Sequence, residues 1–394
     1  MIAGQRPLWL VVHGSAELYG SDKVLLATMA AMRDDPAFVP VVVLHDDGPL
    51  RAALHAAGVE VHVGGVTKIR RAMFTPGGVL RLPAQLAATG RMLEAVAAGR
   101  PVGLVYSNTL AVLGAAVWAR RRRLPHLWHV HEILQHPALV RRGLPWLAAR
   151  LSGHVLANSR QTQAWLEREA PSLLGRVSTV FNGLGAVPAP DAAAAAAVRQ
   201  VLGVAPSDVL ATLAGRLNAW KGQDLLIAAM ALLGKQQRLG GLHVAIVGDV
   251  VPGQEAVRDR LRAQVAAAGL QDRVQFLPFV DDIWPVWRAS DIGVVPSTEP
   301  EPFGMVAIEA MACSVPVVAA AHGGLLDIVD DEVTGLLFQP RDAASLADAL
   351  ARLAGDAALR ARLGAAGAAR QAQHFSLAAQ VAQTRAAGLA LMQP

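Results

Sequence analysis

Short, mostly apolar runs punctuate this sequence, and each gives way to a loop before a helical segment begins. Leu8 to His13, Val39 to Leu44, Val59 to Val63, Val102 to Tyr106, Leu127 to Val130 and His154 to Ala157 make a first series. Leu210 to Ala214, Leu242 to Val247, Arg273 to Leu277, Asp291 to Val295, Val315 to Ala319 and Thr334 to Phe338 make a second. Apolar runs without polar alternation fit strands buried on both faces, as in a parallel sheet covered by helices. Strand alternating with helix, twice over, predicts an α/β chain with two doubly wound sheets. At 394 residues the chain exceeds what one core usually holds, which agrees with two domains. The boundary shows as a change of composition. Asn182-Gly183 turns the chain, Pro188-Ala-Pro190 follows, and an alanine run to Ala197 leads into a new helix. The expected division is 1–185 and 186–375, with a last helix near 376–394 packing away from the second sheet.

One stretch concentrates chemistry. Ser297-Thr-Glu-Pro-Glu-Pro-Phe-Gly-Met-Val-Ala-Ile-Glu-Ala-Met-Ala-Cys313 holds two carboxylates, a proline-flanked loop and a helix start. Pro296, Pro300 and Pro302 forbid helix until Gly304, and a helix to about Ala312 is predicted. The first amides of such a helix have no partners within it and carry the positive end of its dipole, so they suit a phosphate. Glu301 lies just outside that end. Glu309 lies roughly 7.5 Å farther along the axis. It stands among apolar neighbours, so its carboxylate is expected to be buried or half-buried and to need a partner such as a sugar hydroxyl.

A diphosphate also needs cations. Gly215-Arg-Leu-Asn-Ala-Trp-Lys-Gly222 follows the strand ending at Ala214, which places Arg216 and Lys221 at a strand's carboxyl end. Gly215 and Gly222 leave room for close backbone approach. No Asp-x-Asp pair closes a strand, so no metal is expected, and the single Cys313 rules out an intrachain disulfide and a cysteine metal cluster.

Charge is divided unevenly. Up to residue 185 there are 20 Lys and Arg against 11 Asp and Glu, and from 186 onward 16 against 20. The basic half should face something anionic. Arg120 to Arg123, Lys68-Ile-Arg-Arg71 and Arg141-Arg142 supply the clusters. Nucleic acid is not expected, because no basic helix has interleaved aromatics and aromatic residues are only 5% of the chain. An anionic membrane surface or a lipid-phosphate substrate fits better. The loop Lys68 to Gly78 adds Met73 and Phe74, expected to be exposed, and suits contact with a membrane; a helix-capping connection is the plainer alternative. Mean hydropathy is +0.35, yet no apolar run reaches the 18 or so residues that span a bilayer. Leu8 to Val12 is too short for a leader's apolar core. A cytoplasmic protein, peripheral to the inner face of the membrane, is the expectation.

In the first half, His13-Gly-Ser-Ala-Glu-Leu-Tyr-Gly-Ser21 opens a helix from Asp22. It does not fit G-x-G-x-x-G, so no dinucleotide is inferred. Gly20 and Ser21 still bring bare backbone to the mouth of the sheet. His129-Val-His-Glu132 places His131 at a strand's carboxyl end, where ligands of open α/β sheets collect.

Gly215-Arg-Leu and Lys-Gly222, Pro296-Ser with Glu301-Pro-Phe-Gly304, Ile308-Glu-Ala-Met-Ala312, Pro316-Val-Val318, His322-Gly-Gly324 and Gly335-Leu-Leu, in this order, resemble the retaining GT-B glycosyltransferases of family 4. The Glu-x7-Glu spacing from Glu301 to Glu309 is that family's hallmark. The resemblance is looser in the first half, through the glycine loop, His131, Ala157-Asn-Ser159 and Asn182-Gly183. It implies two Rossmann-like domains facing an interdomain cleft, with the last helix crossing back to the N-terminal domain. It implies a nucleotide diphosphate sugar as donor and no metal. Arg216 and Lys221 would hold the leaving diphosphate, with help from the backbone around Phe303, Gly304, Met305 and Val306. Glu309 would accept from the ribose and Glu301 from hydroxyls of the transferred sugar. Pro278, Phe279 and Val280 would meet the base, while His131, Gly20 and Ser21 would reach toward the sugar and the leaving phosphate. With no covalent nucleophile in view, retention implies front-face attack through a short-lived oxocarbenium-like ion pair. The implied acceptor is a glycan or lipid-linked acceptor in bacterial surface polysaccharide synthesis. The alternatives are a small-molecule acceptor, a sugar-nucleotide epimerase and a non-catalytic sensor. Gly20-Ser-Asp-Lys23 departs from the family's first loop, and Ser314 replaces a common glycine.

Overall fold

The computed structural model describes residues 6–70, 73 and 75–393. Arg71 and Phe74, named above, lie outside them. The chain divides into two units, one running to Gly185 and resuming at Leu377, the other Ala186–Ser376.

The first unit alternates β1 Leu8–His13, α1 Gly20–Met32, β2 Val39–Leu44, α2 Pro49–Ala56, β3 Glu60–Val63, α3 Pro76–Ala97, β4 Val102–Ser107 and α4 Leu113–Arg122. It continues with β5 His126–Val130, α5 Ala138–Leu151, β6 His154–Ala157, α6 Arg160–Glu169 and β7 Val177–Thr179. The strands pair in parallel in the order β3-β2-β1-β4-β5-β6-β7. The uninterrupted apolar run of β1 has a direct cause. Trp9 and Val11 enter one buried cluster with Leu25, Met29 and Phe38, while Leu8, Leu10 and Val12 enter another with Leu93 and Trp118. Both faces of the strand are core, so polar alternation would bury unpaired groups. Trp9 stacks on Phe38 with ring centroids 3.8 Å apart.

The second unit contains α7 Ala192–Val201, β8 Val209–Ala214, α8 Gln223–Lys235, β9 Leu242–Val247, α9 Glu255–Ala267, β10 Val274–Leu277, α10 Trp284–Ala289 and β11 Ile292–Val295. Then come α11 Met305–Ala312, β12 Val317–Ala320, α12 Leu325–Ile328, β13 Gly335–Phe338, α13 Ala343–Gly355 and α14 Ala357–His374. Its parallel sheet runs β10-β9-β8-β11-β12-β13.

The last helix, α15 Leu377–Met392, belongs to the first unit. A Cβ at Gly388 would collide with the Trp9 indole, so glycine lets the helix lie on that ring. Trp9 Nε1 donates to Met392 Sδ at 2.9 Å. Gln380 bridges two segments, donating to Thr28 Oγ1 at 2.7 Å and accepting from the Gly183 amide at 2.6 Å.

Three expectations change. The first helix opens at Gly20 rather than Asp22, because the Asp22 carboxylate serves the first turn and accepts from the Tyr19 amide at 3.1 Å. β7 has no counterpart in the sequence reading; it is three residues long with an exposed centre at Ser178, too short for a periodic signal. In the Lys68 loop, Lys68 and Ile69 are tied to the chain just before α4. Lys68 bridges to Val112, the Ile69 amide donates to the Ala111 carbonyl at 2.7 Å, and Met73 is half-buried instead of exposed. No helix among the described residues is long and apolar enough to cross a membrane.

Candidate functional site

Three loops leaving the carboxyl ends of β8, β11 and β12 meet in the second unit. Gly222, with φ +76°, lies so close to β11 that a Cβ would collide with the Pro296 carbonyl. The Thr298 amide donates to the Trp220 carbonyl at 2.7 Å, fastening the same two loops. Lys221 is thereby laid on Glu301, with Nζ 2.9 Å from both carboxylate oxygens. Ser297 Oγ donates to Glu301 Oε2 at 2.8 Å. From the third loop, the Gly324 amide donates to the Glu301 carbonyl at 2.6 Å, and His322 Nε2 donates to the Ser297 carbonyl at 2.7 Å. Gly323, at φ +60°, permits this contact, since a Cβ would strike the Glu301 backbone. Burial lowers the His322 pKa, which suits a neutral donor ring.

Glu301 is only 7% exposed, and its backbone and side chain are both held. Two of the three Lys221 N–H groups are accounted for by the two Glu301 oxygens, leaving one for a ligand. The Trp220 ring lies 4.3 Å from the same ammonium. Arg216, half-buried, shares the loop, and its carbonyl accepts from Gln223 Nε2 at 3.0 Å, which ties the loop to α8.

Helix α11 starts at Met305 behind Gly304, so the Met305 and Val306 amides lie in the first turn, with no acceptor four residues back within the helix. Glu309 is half-buried and accepts from Trp287 Nε1 at 3.3 Å. This fixes one oxygen toward α10. The Phe303 ring is 2% exposed and packs edge-on against Phe375 at 5.8 Å, which leaves its backbone in the loop. Phe303 is oily enough to be drawn into the core below the loop. Pro278, Phe279 and Val280 follow β10 at the same edge of the sheet, two strands from β8, with Phe279 exposed. Among the described residues no three His, Cys, Asp or Glu side chains group as metal ligands would.

In the first unit a second constellation forms, and most of it escaped sequence reading. Register places Val12 beside Ser107 and Ser107 beside Trp128, so β1, β4 and β5 end near one another. His13 Nε2 donates to Asp22 Oδ1 at 2.7 Å. His13 Nδ1 faces Asn108, 3.2 Å from its Nδ2 and 3.3 Å from its backbone carbonyl oxygen. The same amide presents Oδ1 to His131 Nε2 at 3.0 Å. His131 Nδ1 is left as a bare acceptor, buried and without a partner among the described residues. Burial, reinforced by His129 and His13, holds the His131 pKa well below its ordinary value, so the ring is neutral. The His129 and His131 rings lie 4.1 Å apart, and Tyr106 Oη sits 2.5 Å from His129 Nδ1. Gly20 and Ser21 open α1 two residues before Asp22, so they share this edge with His131. Glu132 turns back onto the loop, accepting from the His131 amide at 3.1 Å and from Thr109 Oγ1. The missed signal was positional: His13 and Asn108 occupy strand ends, as His131 does.

Chemically, the second unit offers cations, helix-start amides and hydroxyl-accepting carboxylates, a set suited to a phosphorylated polyol. The first offers a neutral nitrogen acceptor at a strand end. Residues 196–370 match the family model described as glycosyl transferases group 1. The D-inositol 3-phosphate glycosyltransferase of Streptomyces avermitilis is 34% identical over 314 residues, covering 75% of this chain and 67% of the relative. That of Salinispora tropica is 35% identical over 336 residues, covering 78% and 69%. Among solved structures, Anabaena HepE in complex with UDP and glucose superposes with a TM-score of 0.82 at 28% identity, over 98% of this chain and all of that one. Its complex with UDP-glucose gives 0.81 at 28% identity, over 96% and 99%.

Proposed function

The chain belongs to the group 1 glycosyltransferases, with a GT-B fold of two Rossmann-like units, and from that membership we propose that it moves a sugar from a nucleotide diphosphate sugar to a glycan or lipid-linked acceptor in bacterial surface polysaccharide synthesis. The observation that carries the donor assignment is the Lys221–Glu301 pair at the start of α11. It sets a cation for phosphate beside a carboxylate for hydroxyls, which is the composition of a sugar diphosphate. The Anabaena HepE complexes with UDP and UDP-glucose support the same class of donor.

In this reading Arg216, Lys221 and the amides of Gly304, Met305 and Val306 take the charge that develops on the leaving diphosphate. Leaving-group charge is the largest quantity such a site must stabilise, and removal of one well-placed donor costs about 3–4 kcal/mol. Glu301 accepts from the transferred sugar and Glu309 from the ribose. Pro278, Phe279 and Val280 meet the base, mainly through backbone. His131 Nδ1 accepts from a sugar hydroxyl, and Gly20 and Ser21 supply backbone toward the leaving phosphate. Transfer retains the anomeric configuration by front-face attack, without metal and without a covalent intermediate, as expected of family 4 members.

The reading includes peripheral contact with the inner face of an anionic membrane. One stripe of α5 supports it: Leu139 is 70% and Trp146 51% exposed, and Arg142 and Arg150 occupy the same face. The Arg150 guanidinium lies 4.8 Å from the Trp146 ring. A second reading, a small-molecule acceptor, is favoured by the Streptomyces and Salinispora relatives, whose names specify D-inositol 3-phosphate.

A thermal-shift screen with UDP, GDP, dTDP and ADP sugars identifies the donor. Incubating that donor with chelator and candidate acceptors then tests transfer. A glycosylated product of retained configuration is expected; a new nucleotide-sugar isomer without acceptor would refute transfer in favour of epimerisation.

A further inference from the structure

A cavity of about 540 Å³ opens in the first unit beyond the carboxyl ends of β2 and β3. His45 follows β2, Lys68 and Arg70 follow β3, and Thr75, Arg81 and Gln85 come from the start of α3. Among the described residues three cations line it and no carboxylate does.

Some basic side chains of this unit are matched closely by acids, as in Arg51–Asp47 at 2.8 Å and Arg100–Glu60 at 2.7 Å. The cations of the cavity are not. Lys68 and Arg81 have no ion-pair partner among the described residues, and the nearest acid to Arg70 is the exposed Asp46 at 3.9 Å. The cations are nevertheless positioned. Lys68 Nζ donates to the Gly14 carbonyl at 2.5 Å. His45 Nδ1 donates to the Val66 carbonyl at 2.6 Å, which leaves Nε2 to accept from the Arg70 guanidinium. His45 therefore orients Arg70. Converging cations with only one distant, exposed acid near them, around a concave space, are a site for an anion, and guanidinium forks match phosphate oxygens. The volume falls in the range of small-molecule sites, so a phosphate fits together with the polyol or sugar that bears it.

The position assigns the ligand. Gly14, which receives Lys68, directly follows His13, the second member of the chain from Asp22 to His131. An anion in the cavity thus belongs to a molecule at the same sheet edge as His131. We infer that the cavity anchors a phosphoester carried by the acceptor. This rests on the reading that the chain is a sugar transferase, and it gives the lipid-linked and small-molecule acceptors one shared recognition element.

The test titrates inorganic phosphate into protein saturated with UDP, so that Arg216 and Lys221 are already occupied. The variant Arg70→Gln with Arg81→Gln changes exposed side chains and should fold. Its phosphate affinity is expected to fall at least tenfold while UDP affinity stays within twofold. Arg51→Gln, which removes a paired charge outside the cavity, should leave phosphate affinity unchanged. Equal phosphate affinity in wild type and the double variant, or an equal loss with Arg51→Gln, overturns the site. Failure of UDP to bind wild type would count against the transferase reading instead, and phosphate titration without UDP would still report on the cavity. Competition by glycerol 3-phosphate identifies a soluble phosphoester, and competition by phosphatidylcholine vesicles carrying phosphatidic acid identifies a lipid one. Competition by neither overturns the proposal.

Discussion

Lys221 Nζ lies 2.9 Å from each oxygen of the Glu301 carboxylate, in a pair whose side chains are 16% and 9% exposed. Removing one partner from so buried a pair leaves the other charge uncompensated, at a cost of about 3–5 kcal/mol. Lys221→Ala is therefore expected to lower the stability of the second unit as well as abolish transfer. Lys221→Met combined with Glu301→Gln should recover most of that stability and none of the activity. Urea midpoints and transfer rates on the three proteins check this; equal stability of wild type and Lys221→Ala would refute it.

Asn108 sets the tautomer of His131 through its amide oxygen. Asn108→Leu is expected to lower kcat about 10- to 100-fold, the scale of a small misplacement in a reacting geometry, with little change in UDP affinity. Nitrogen-15 shifts of His131 give the diagnostic readout. An unprotonated Nδ1 in wild type and a tautomer mixture in the variant are expected, whereas identical shifts would remove Asn108 from this role.

Acid should weaken the first unit. Burial lowers the pKa of His126 and His129 to about 3, against 6.5 for the free ring, and moves His131 the same way. Between those values the unfolded chain binds protons that the folded chain does not. Stability therefore falls as pH drops from 6.5 toward 3, by up to about 1.4 kcal/mol per pH unit for each ring. Glu132 opposes this, because burial raises its pKa and its favourable share is present below the carboxylate range and lost as pH rises. Unfolding followed by tryptophan fluorescence should show a steep loss between pH 6 and 4, roughly the middle of that window, and a flat profile there would contradict it.

Membrane contact through α5 predicts that Arg142→Gln and Arg150→Gln each weaken binding to phosphatidylglycerol vesicles by about fivefold, near 1 kcal/mol per charge. Trp146→Ala should weaken it further and reduce the salt-resistant fraction. Unchanged co-sedimentation of all three variants would exclude this face.

The sequence made the strands of both sheets legible wherever both faces are buried, because their residues then form nearly unbroken apolar runs, as in β2 and β11. It also exposed Arg216, Lys221, Glu301 and Glu309, since charged residues flanked by glycine and proline stand out at strand ends. It did not expose what those residues touch. Glu301 reaches Lys221 across 80 positions, and Trp287 reaches Glu309 from another helix. Periodicity reports a residue's own element and carries nothing about such partners. The Asp22–His13–Asn108–His131 chain was hidden for the same reason.

The return of α15 to the first unit bears on the order of synthesis. Trp9 leaves the ribosome long before the glycine that seats a helix on its indole, which is residue 388. The whole second unit is translated before that helix exists. The first unit therefore keeps part of its core uncovered until residues 377–392 have been made, after the whole of the second unit.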